Sequence, residues 1–167
     1  MKGLLMRNLL LRHFRNVTCS LLFAGLIISP AFAAELKWTF HAAGDVGQAF
    51  LSDCVNCDGA MFTAVCRKGR SVTVIPVMDV KGGAVGEKRN VTFLFGDGAV
   101  EVESVLVENL IDDTVEPEIK IPSNHEIFDH MRTFKSVEVM VDRGPNLVVP
   151  LKGASEVIGK LQAFCRK

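Results

Sequence analysis

The sequence predicts a mainly antiparallel β fold, either a sandwich or an open barrel, stapled by disulfides, with a short helix and a C-terminal helix packed on it. Three observations support this prediction. Short apolar stretches with period-two alternation recur along the chain, Gly, Asp and Pro turn signals separate them, and helical periodicity occurs only late. We expect about seven or eight strands. Because helices do not alternate with these strands, a parallel α/β fold is disfavoured.

Residues 1–33 have the pattern of a secretory signal peptide. A basic start precedes an apolar run from Val17 to Ser29, and Ala31-Phe32-Ala33 is a typical processing site. The run is too short for a membrane span. We therefore expect cleavage, export to the periplasm or beyond, no transmembrane segment after cleavage, and a single β-rich domain over residues 34–167. A retained, uncleaved anchor is the alternative.

The charge of the processed chain argues against nucleic acid as a partner. Residues 34–167 contain fifteen basic and nineteen acidic side chains, a net charge of −4. A surface that binds phosphates needs a basic balance, and no Lys/Arg cluster with interleaved aromatic residues occurs. The densest basic group, from Arg67 to Arg70, is short and contains a glycine, as a hairpin turn does.

Four cysteines remain after processing, and an even number in an exported chain of this length predicts two disulfides. They are Cys54, Cys57, Cys66 and Cys165. The sequence leaves three connectivities open. We expect Cys165 to pair with one of the other three, because that bond closes a loop of about 100 residues and constrains the unfolded chain most.

In the first half of the chain, Leu36–Phe40 alternates as a strand with Trp38 directed inward. We expect a loop over Ala43–Gly47, and Gln48–Asp53 has no clear assignment. Two alternating stretches flank a short glycine turn and predict a hairpin. These stretches are Ala60–Cys66 and Val72–Met78.

A second hairpin is predicted where Gly96-Asp97-Gly98 joins Asn90–Phe95 to the stretch 99–108. The acidic stretch from Asp112 to Glu118 is expected to be a solvated connection. After it, Ser123 or Asn124 is placed to cap a short helix. The apolar residues of this helix recur at helical spacing: Ile127, Phe128, Met131 and Phe134.

The C-terminal stretch has the strongest pattern in the chain. Ser136–Asp142 alternates, Gly144-Pro145-Asn146 supplies a turn, and Leu147–Leu151 forms the returning strand. From Gly153 to Cys165 the apolar residues lie on one helical face. They are Ala154, Val157, Ile158, Leu161, Phe164 and Cys165.

No catalytic or metal-binding pattern is present in the sequence, and we predict a protein that is not an enzyme and uses no cofactor. Cys54 and Cys57 form a C-x-x-C pair, but a turn and a β stretch follow in place of the helix that lowers a thiol pKa. A structural disulfide role is therefore expected for these cysteines in place of redox catalysis. His125 and His130 are five residues apart, which does not match metal ligands on a helix, and we expect both to be solvated.

The C-terminal half resembles a known family. Lys135-Ser136-Val137-Glu138-Val139, followed by Val149-Pro150-Leu151-Lys152-Gly153 and a helix, is similar to small exported proteobacterial proteins of the invasion-associated locus B type. The likeness covers about a third of the mature chain. It implies a periplasmic or surface-associated β-domain with a role in envelope or host interaction, and it implies no active site.

These observations favour an exported, non-enzymatic domain that binds a protein or an envelope component, and they suggest an association with host interaction or virulence. An inhibitor of a host hydrolase belongs to the same class. The alternative is a thiol-disulfide redox protein that uses Cys54 and Cys57, which would require an accessible thiolate near neutral pH.

Overall fold

The computed structural model describes residues 35–53, 59–69 and 71–167. In these ranges the chain forms nine strands and two helices. They are β1 (Lys37–Ala43), β2 (Val46–Ser52), β3 (Ala60–Arg67), β4 (Val72–Pro76), β5 (Lys88–Phe95), β6 (Gly98–Asn109), β7 (Thr114–Ile121), α1 (Glu126–Thr133), β8 (Ser136–Val141), β9 (Asn146–Pro150) and α2 (Ala154–Cys165). The predicted fold class, mainly antiparallel β with a short helix and a C-terminal helix, is confirmed. The predicted signal peptide and Cys54-Val55-Asn56-Cys57 lie outside the described residues.

The strands form one antiparallel sheet in the order β1-β2-β3-β4-β7-β6-β5-β8-β9. The sheet curls so that its first and last strands come into contact. The indole Nε1 of Trp38 in β1 donates a 2.9 Å hydrogen bond to the carbonyl oxygen of Pro150 in β9. Beside it, the Lys152 ammonium lies 3.0 Å from the Glu35 carboxylate. This arrangement corresponds to the open-barrel form of the predicted fold.

The loop predicted over Ala43–Gly47 is too long, because only Gly44 and Asp45 form the turn of a tight hairpin between β1 and β2. Gly47 and Ala49 face the interior but have too little side chain to produce an apolar alternation in the sequence. The reason for these small residues is tertiary. A Cβ atom on Gly47 would lie 2.5 Å from the Phe164 ring, so α2 packs directly on the backbone of β2.

The solvated connection predicted over Asp112–Glu118 is also wrong in its second part, where β7 begins at Thr114. Both Glu116 and Pro117 are buried. Pro117 lies opposite Leu106 of β6, and the N–H and C=O of Leu106 point away from β7 and bond to the loop that precedes β5. Proline is tolerated at this position because β6 needs no N–H from it. The missing N–H of Pro117 therefore leaves no gap in the ladder between β6 and β7.

The strand β7 changes partner along its length. Its first half pairs with β6, from Thr114 to Glu118, and its last residues, Ile119 to Ile121, pair with β4. The end of β4 and the hairpin formed by β6 and β7 consequently diverge from each other. This fork creates the groove described in the next section.

The helix α2 covers the core with the apolar face that the sequence predicts. Its residues Ala154, Val157, Ile158, Leu161 and Cys165 are buried. The helix packs on β1, β2, β3 and α1. The last turn is fastened to β3 by the Cys66–Cys165 disulfide, which spans 99 residues of sequence with a Cα–Cα distance of 5.9 Å.

The cap of α1 differs from the prediction. His125, and neither Ser123 nor Asn124, occupies the N-cap position, and its Nδ1 accepts a 3.3 Å hydrogen bond from the N–H of Ile127. Phe134 ends the helix as the C-cap residue. Neither α1 nor α2 has the length and apolar character that a membrane-spanning helix needs.

Candidate binding surface

The most exposed large apolar side chains of the described residues lie at the turn between β6 and β7. Leu110 is 83% exposed and Ile111 is 76% exposed. We call residues 109–114 the hairpin tip. Single exposed apolar residues are ordinary, but two adjacent ones at the end of a projecting hairpin form a concentrated apolar surface.

Side-chain hydrogen bonds hold the backbone of the hairpin tip. The Oδ1 of Asn109 accepts from the N–H of Ile111 at 3.0 Å, and its Nδ2 donates to Asp112 Oδ2 at 3.2 Å and to Glu116 Oε1 at 3.0 Å. The Thr114 hydroxyl donates to the same Glu116 oxygen at 3.3 Å. The carboxylate of Glu116, a residue only 5% exposed, thus anchors both sides of the turn.

The remaining turn residue fits its conformation as well. Asp113 has φ +54°, in the left-handed region, where Asp and Asn are tolerated better than other side chains that carry a Cβ. The turn geometry is therefore set by Asn109, Asp113, Thr114 and Glu116. The side chains of Leu110 and Ile111 take no part in these hydrogen bonds, and both are largely exposed.

A groove runs beside the hairpin tip, at the fork where β4 and the β6–β7 hairpin diverge. Its volume is about 470 Å³. Its floor comes from β3 and the end of β4, where Thr63 and Ile75 are paired directly across the strands, and its far wall includes Val107 of β6. We call this the tip groove. Leu110 and Ile111 line its edge, so the groove and the hairpin tip form one continuous surface.

The charges around this surface have one sign. Five carboxylates and no Lys or Arg occur from Val107 to Ile119. Glu108 and Asp112 line the tip groove. Glu108, Asp112 and Asp113 take part in no ion pair formed among residues 35–53, 59–69 and 71–167.

Two shallow cavities of about 520 and 440 Å³ lie near the disulfide. Ser71 and Lys120 line both of them. Their cations are already partnered in part. Lys120 lies 2.7 Å from Glu118, and Arg67 lies 3.7 Å from Asp45. Arg166 also lines this region, so its charged groups are basic, whereas those that line the tip groove are acidic.

The cysteines singled out by the sequence are only partly described. Cys165 pairs with Cys66, and both are nearly inaccessible to solvent. Cys54 and Cys57 lie outside the described residues, so their pairing stays a prediction. The structure brings none of these cysteines together with a carboxylate or imidazole in a possible metal site within its described part.

His125 and His130 are half-buried, in contrast to the solvated positions expected from the sequence. His125 is occupied as the α1 cap. The ring of His130 lies 5.0 Å from that of Phe95 and 5.7 Å from that of Phe134. Both histidines thus have local structural roles.

Sequence reasoning missed the hairpin tip. The signal was an apolar pair, Leu110-Ile111, placed between Asn109 and two aspartates, where strand alternation stops. Such a pair in a polar turn has no obvious partner in the fold. No protein-family model, curated protein or solved structure matches the chain.

Proposed function

We propose that this chain is an exported, non-enzymatic binding domain that docks onto a protein through the hairpin tip and the tip groove. The observation that carries the proposal is the pair Leu110 and Ile111, more than three quarters exposed on a turn that side-chain hydrogen bonds hold. Burial of one such side chain against a partner contributes about 1.5 to 3 kcal/mol. A turn that is already ordered loses little conformational entropy on binding, so more of this free energy remains as affinity.

Export is the second part of the proposal, and its support comes from the sequence pattern of residues 1–33 and from the cysteines. Disulfides persist in oxidising compartments and are rare in the cytosol. The Cys66–Cys165 bond is compatible with the periplasm or the cell exterior. The likeness of the C-terminal third to the invasion-associated locus B type favours a partner in the envelope or on a host cell.

A hydrolase is one class of partner that the hairpin tip fits. A projecting turn with two apolar side chains has the shape to enter a concave active site, which is how an inhibitor of a host hydrolase would act. Inhibition of a hydrolase that is lost in the Leu110→Ser/Ile111→Ser variant would identify this form of the function. The redox alternative needs a different result, namely labelling of Cys54 and Cys57 in the native protein by a thiol reagent.

Site-specific photocrosslinking tests the proposal. A benzoylphenylalanine residue replaces Leu110 in one variant and Val85, a 62% exposed apolar residue of another loop, in the control. Each variant is irradiated in periplasmic and cell-surface extracts. We expect a saturable crosslinked species at position 110 that unlabelled wild-type protein competes away and the Leu110→Ser/Ile111→Ser variant does not. Equal crosslinking at both positions, or none at position 110, would contradict the proposal.

A further inference from the structure

We infer that the partner of the tip groove is a polypeptide segment with apolar side chains at its centre and lysine or arginine at its flanks. This inference rests on the proposed function and specifies the chemistry of the partner. It follows from three features of one surface, namely an apolar floor, an apolar edge and a rim of carboxylates without cations.

The floor determines the centre of the segment. Ala60, Ile75 and Val77 present aliphatic surface to the groove, Val107 adds to it from the far wall, and Thr63 contributes one hydroxyl. A volume of about 470 Å³ accommodates a few aliphatic side chains and is within the range of ordinary ligand pockets. Because Leu110 and Ile111 stand at the edge of the same groove, a bound segment would cover them as well.

The rim determines the flanks. Glu108 is exposed, Asp112 lines the groove, and neither forms an ion pair within the described part of the chain. Some carboxylates elsewhere are matched, such as Glu118 with Lys120 at 2.7 Å and Glu156 with Lys160 at 2.6 Å. Others, such as Asp97 and Glu126, form no ion pair within the described part of the chain, so Glu108 and Asp112 are distinguished by lining the tip groove. A docked segment with basic flanks would supply the missing cations, whereas acidic flanks would be repelled.

The same charges disfavour a lipid surface. Exposed Leu and Ile at the end of a hairpin could insert into a bilayer, but membrane-binding segments carry Lys and Arg next to their apolar residues. Here Asp112 and Asp113 follow Leu110-Ile111 directly. An anionic headgroup region would repel this pair of carboxylates, so a basic polypeptide is the favoured occupant.

The test uses two synthetic peptides with the same four-residue aliphatic centre. One carries two lysines at each end and the other two glutamates at each end. Each is titrated into the purified, disulfide-bonded, ¹⁵N-labelled protein, and amide shifts report both the site and the dissociation constant. We expect the lysine-flanked peptide to shift the amides of Thr63, Ile75 and Val107 and to bind at least about tenfold more tightly than the glutamate-flanked one.

A charge variant with a matched control isolates the role of the rim. Glu108→Gln/Asp112→Asn removes two carboxylates at the groove, and asparagine retains an oxygen that accepts from Asn109. Asp97→Asn/Glu126→Gln removes two charges at the opposite end of β6. We expect the first variant to bind the lysine-flanked peptide about five- to tenfold more weakly and the second to match wild type. Equal affinity for the two peptides, or shifts outside the groove, would overturn the inference.

Two further measurements identify other occupants. Binding to vesicles of phosphatidylglycerol and phosphatidylethanolamine that is lost in Leu110→Ser/Ile111→Ser would overturn the inference in favour of lipid. Concentration-dependent dimerisation lost in the same variant would overturn it in favour of a second copy of the chain. Crosslinking at position 110 that is insensitive to Glu108→Gln/Asp112→Asn would leave the proposed function intact and reject only the basic partner.

Discussion

The end of the molecule where α2 docks and the end where the hairpin tip projects use their apolar residues in opposite ways. At the α2 end, Phe164 packs on the bare backbone of Gly47, and Cys165 is bonded to Cys66. At the tip, Asn109 and Thr114 donate hydrogen bonds to Glu116 that hold the turn, and Leu110 and Ile111 are exposed. Substitutions of the apolar residues should therefore change stability at the first end and binding at the second.

Removal of the Cys66–Cys165 disulfide should produce the largest loss of stability. The bond closes a loop of 99 residues, and cross-linking a loop of this length stabilises the folded state by about 4 to 5 kcal/mol in the chain-entropy account. We expect Cys66→Ala/Cys165→Ala to lower the free energy of unfolding by that amount, measured by urea denaturation. The control Cys54→Ala/Cys57→Ala should lose less, because the disulfide predicted for that pair would close only a short loop. Equal losses would contradict the account of the α2 end.

Gly47→Ala tests the close contact between β2 and α2. The added Cβ would lie 2.5 Å from the Phe164 ring, which also packs against Phe40 at a ring distance of 6.1 Å. We expect a loss of about 1 to 3 kcal/mol in the free energy of unfolding because the ring must move. Gly59→Ala is the control, since no atom of the described residues lies within 4 Å of its added Cβ. The same unfolding midpoint in both variants would show that α2 adapts without cost.

Asn109→Ala tests how the hairpin tip is held. It removes three hydrogen bonds and leaves the buried Glu116 carboxylate with the Thr114 hydroxyl as its remaining partner among those bonds. We expect a loss of about 2 kcal/mol in unfolding free energy. Amide hydrogen exchange should also become faster over residues 109–114. The exposed Asn124→Ala control should leave both measurements unchanged, and an unaltered tip in Asn109→Ala would mean that other contacts order it.

Leu110→Ser/Ile111→Ser should have the smallest effect on stability. Neither side chain is buried, so we expect the free energy of unfolding to change by less than about 0.5 kcal/mol. Binding, in contrast, should be lost. Ile119→Ser is the matched control in the core of β7, and thermal denaturation should show it strongly destabilised. A large loss of stability in the tip variant would mean that its apolar residues serve the fold.

Elements with strong local patterns were predictable from the sequence. The hairpins β3–β4, β5–β6 and β8–β9 alternate clearly and have glycine or proline at their turns. The helix α2 shows its buried face directly in the spacing of its apolar residues. In these elements each residue's environment follows from the period of its own strand or helix, so neighbouring elements were not needed to assign them.

The tertiary structure decided the rest. The strand β2 was not recognisable from its own residues, because position 47 is a glycine in place of a larger apolar residue. The ring of Phe164, 117 residues later in the chain, leaves no room for a side chain there. The strand β7 was not recognisable because Pro117 and Glu116 are typical of a loop. They fit a strand here because Leu106 lies opposite Pro117, and Asn109 and Thr114 donate hydrogen bonds to Glu116. The tip groove exists only because β7 leaves β4 for β6.

By itself, then, the sequence determined the fold class and the pattern of an exported protein, since these depend on local periodicity and on composition. The choice of Cys66 as the partner of Cys165, and the exposure of Leu110 and Ile111, depend on contacts between residues far apart in the chain. No local pattern specifies such contacts, because they arise only when the packed strands and helices meet.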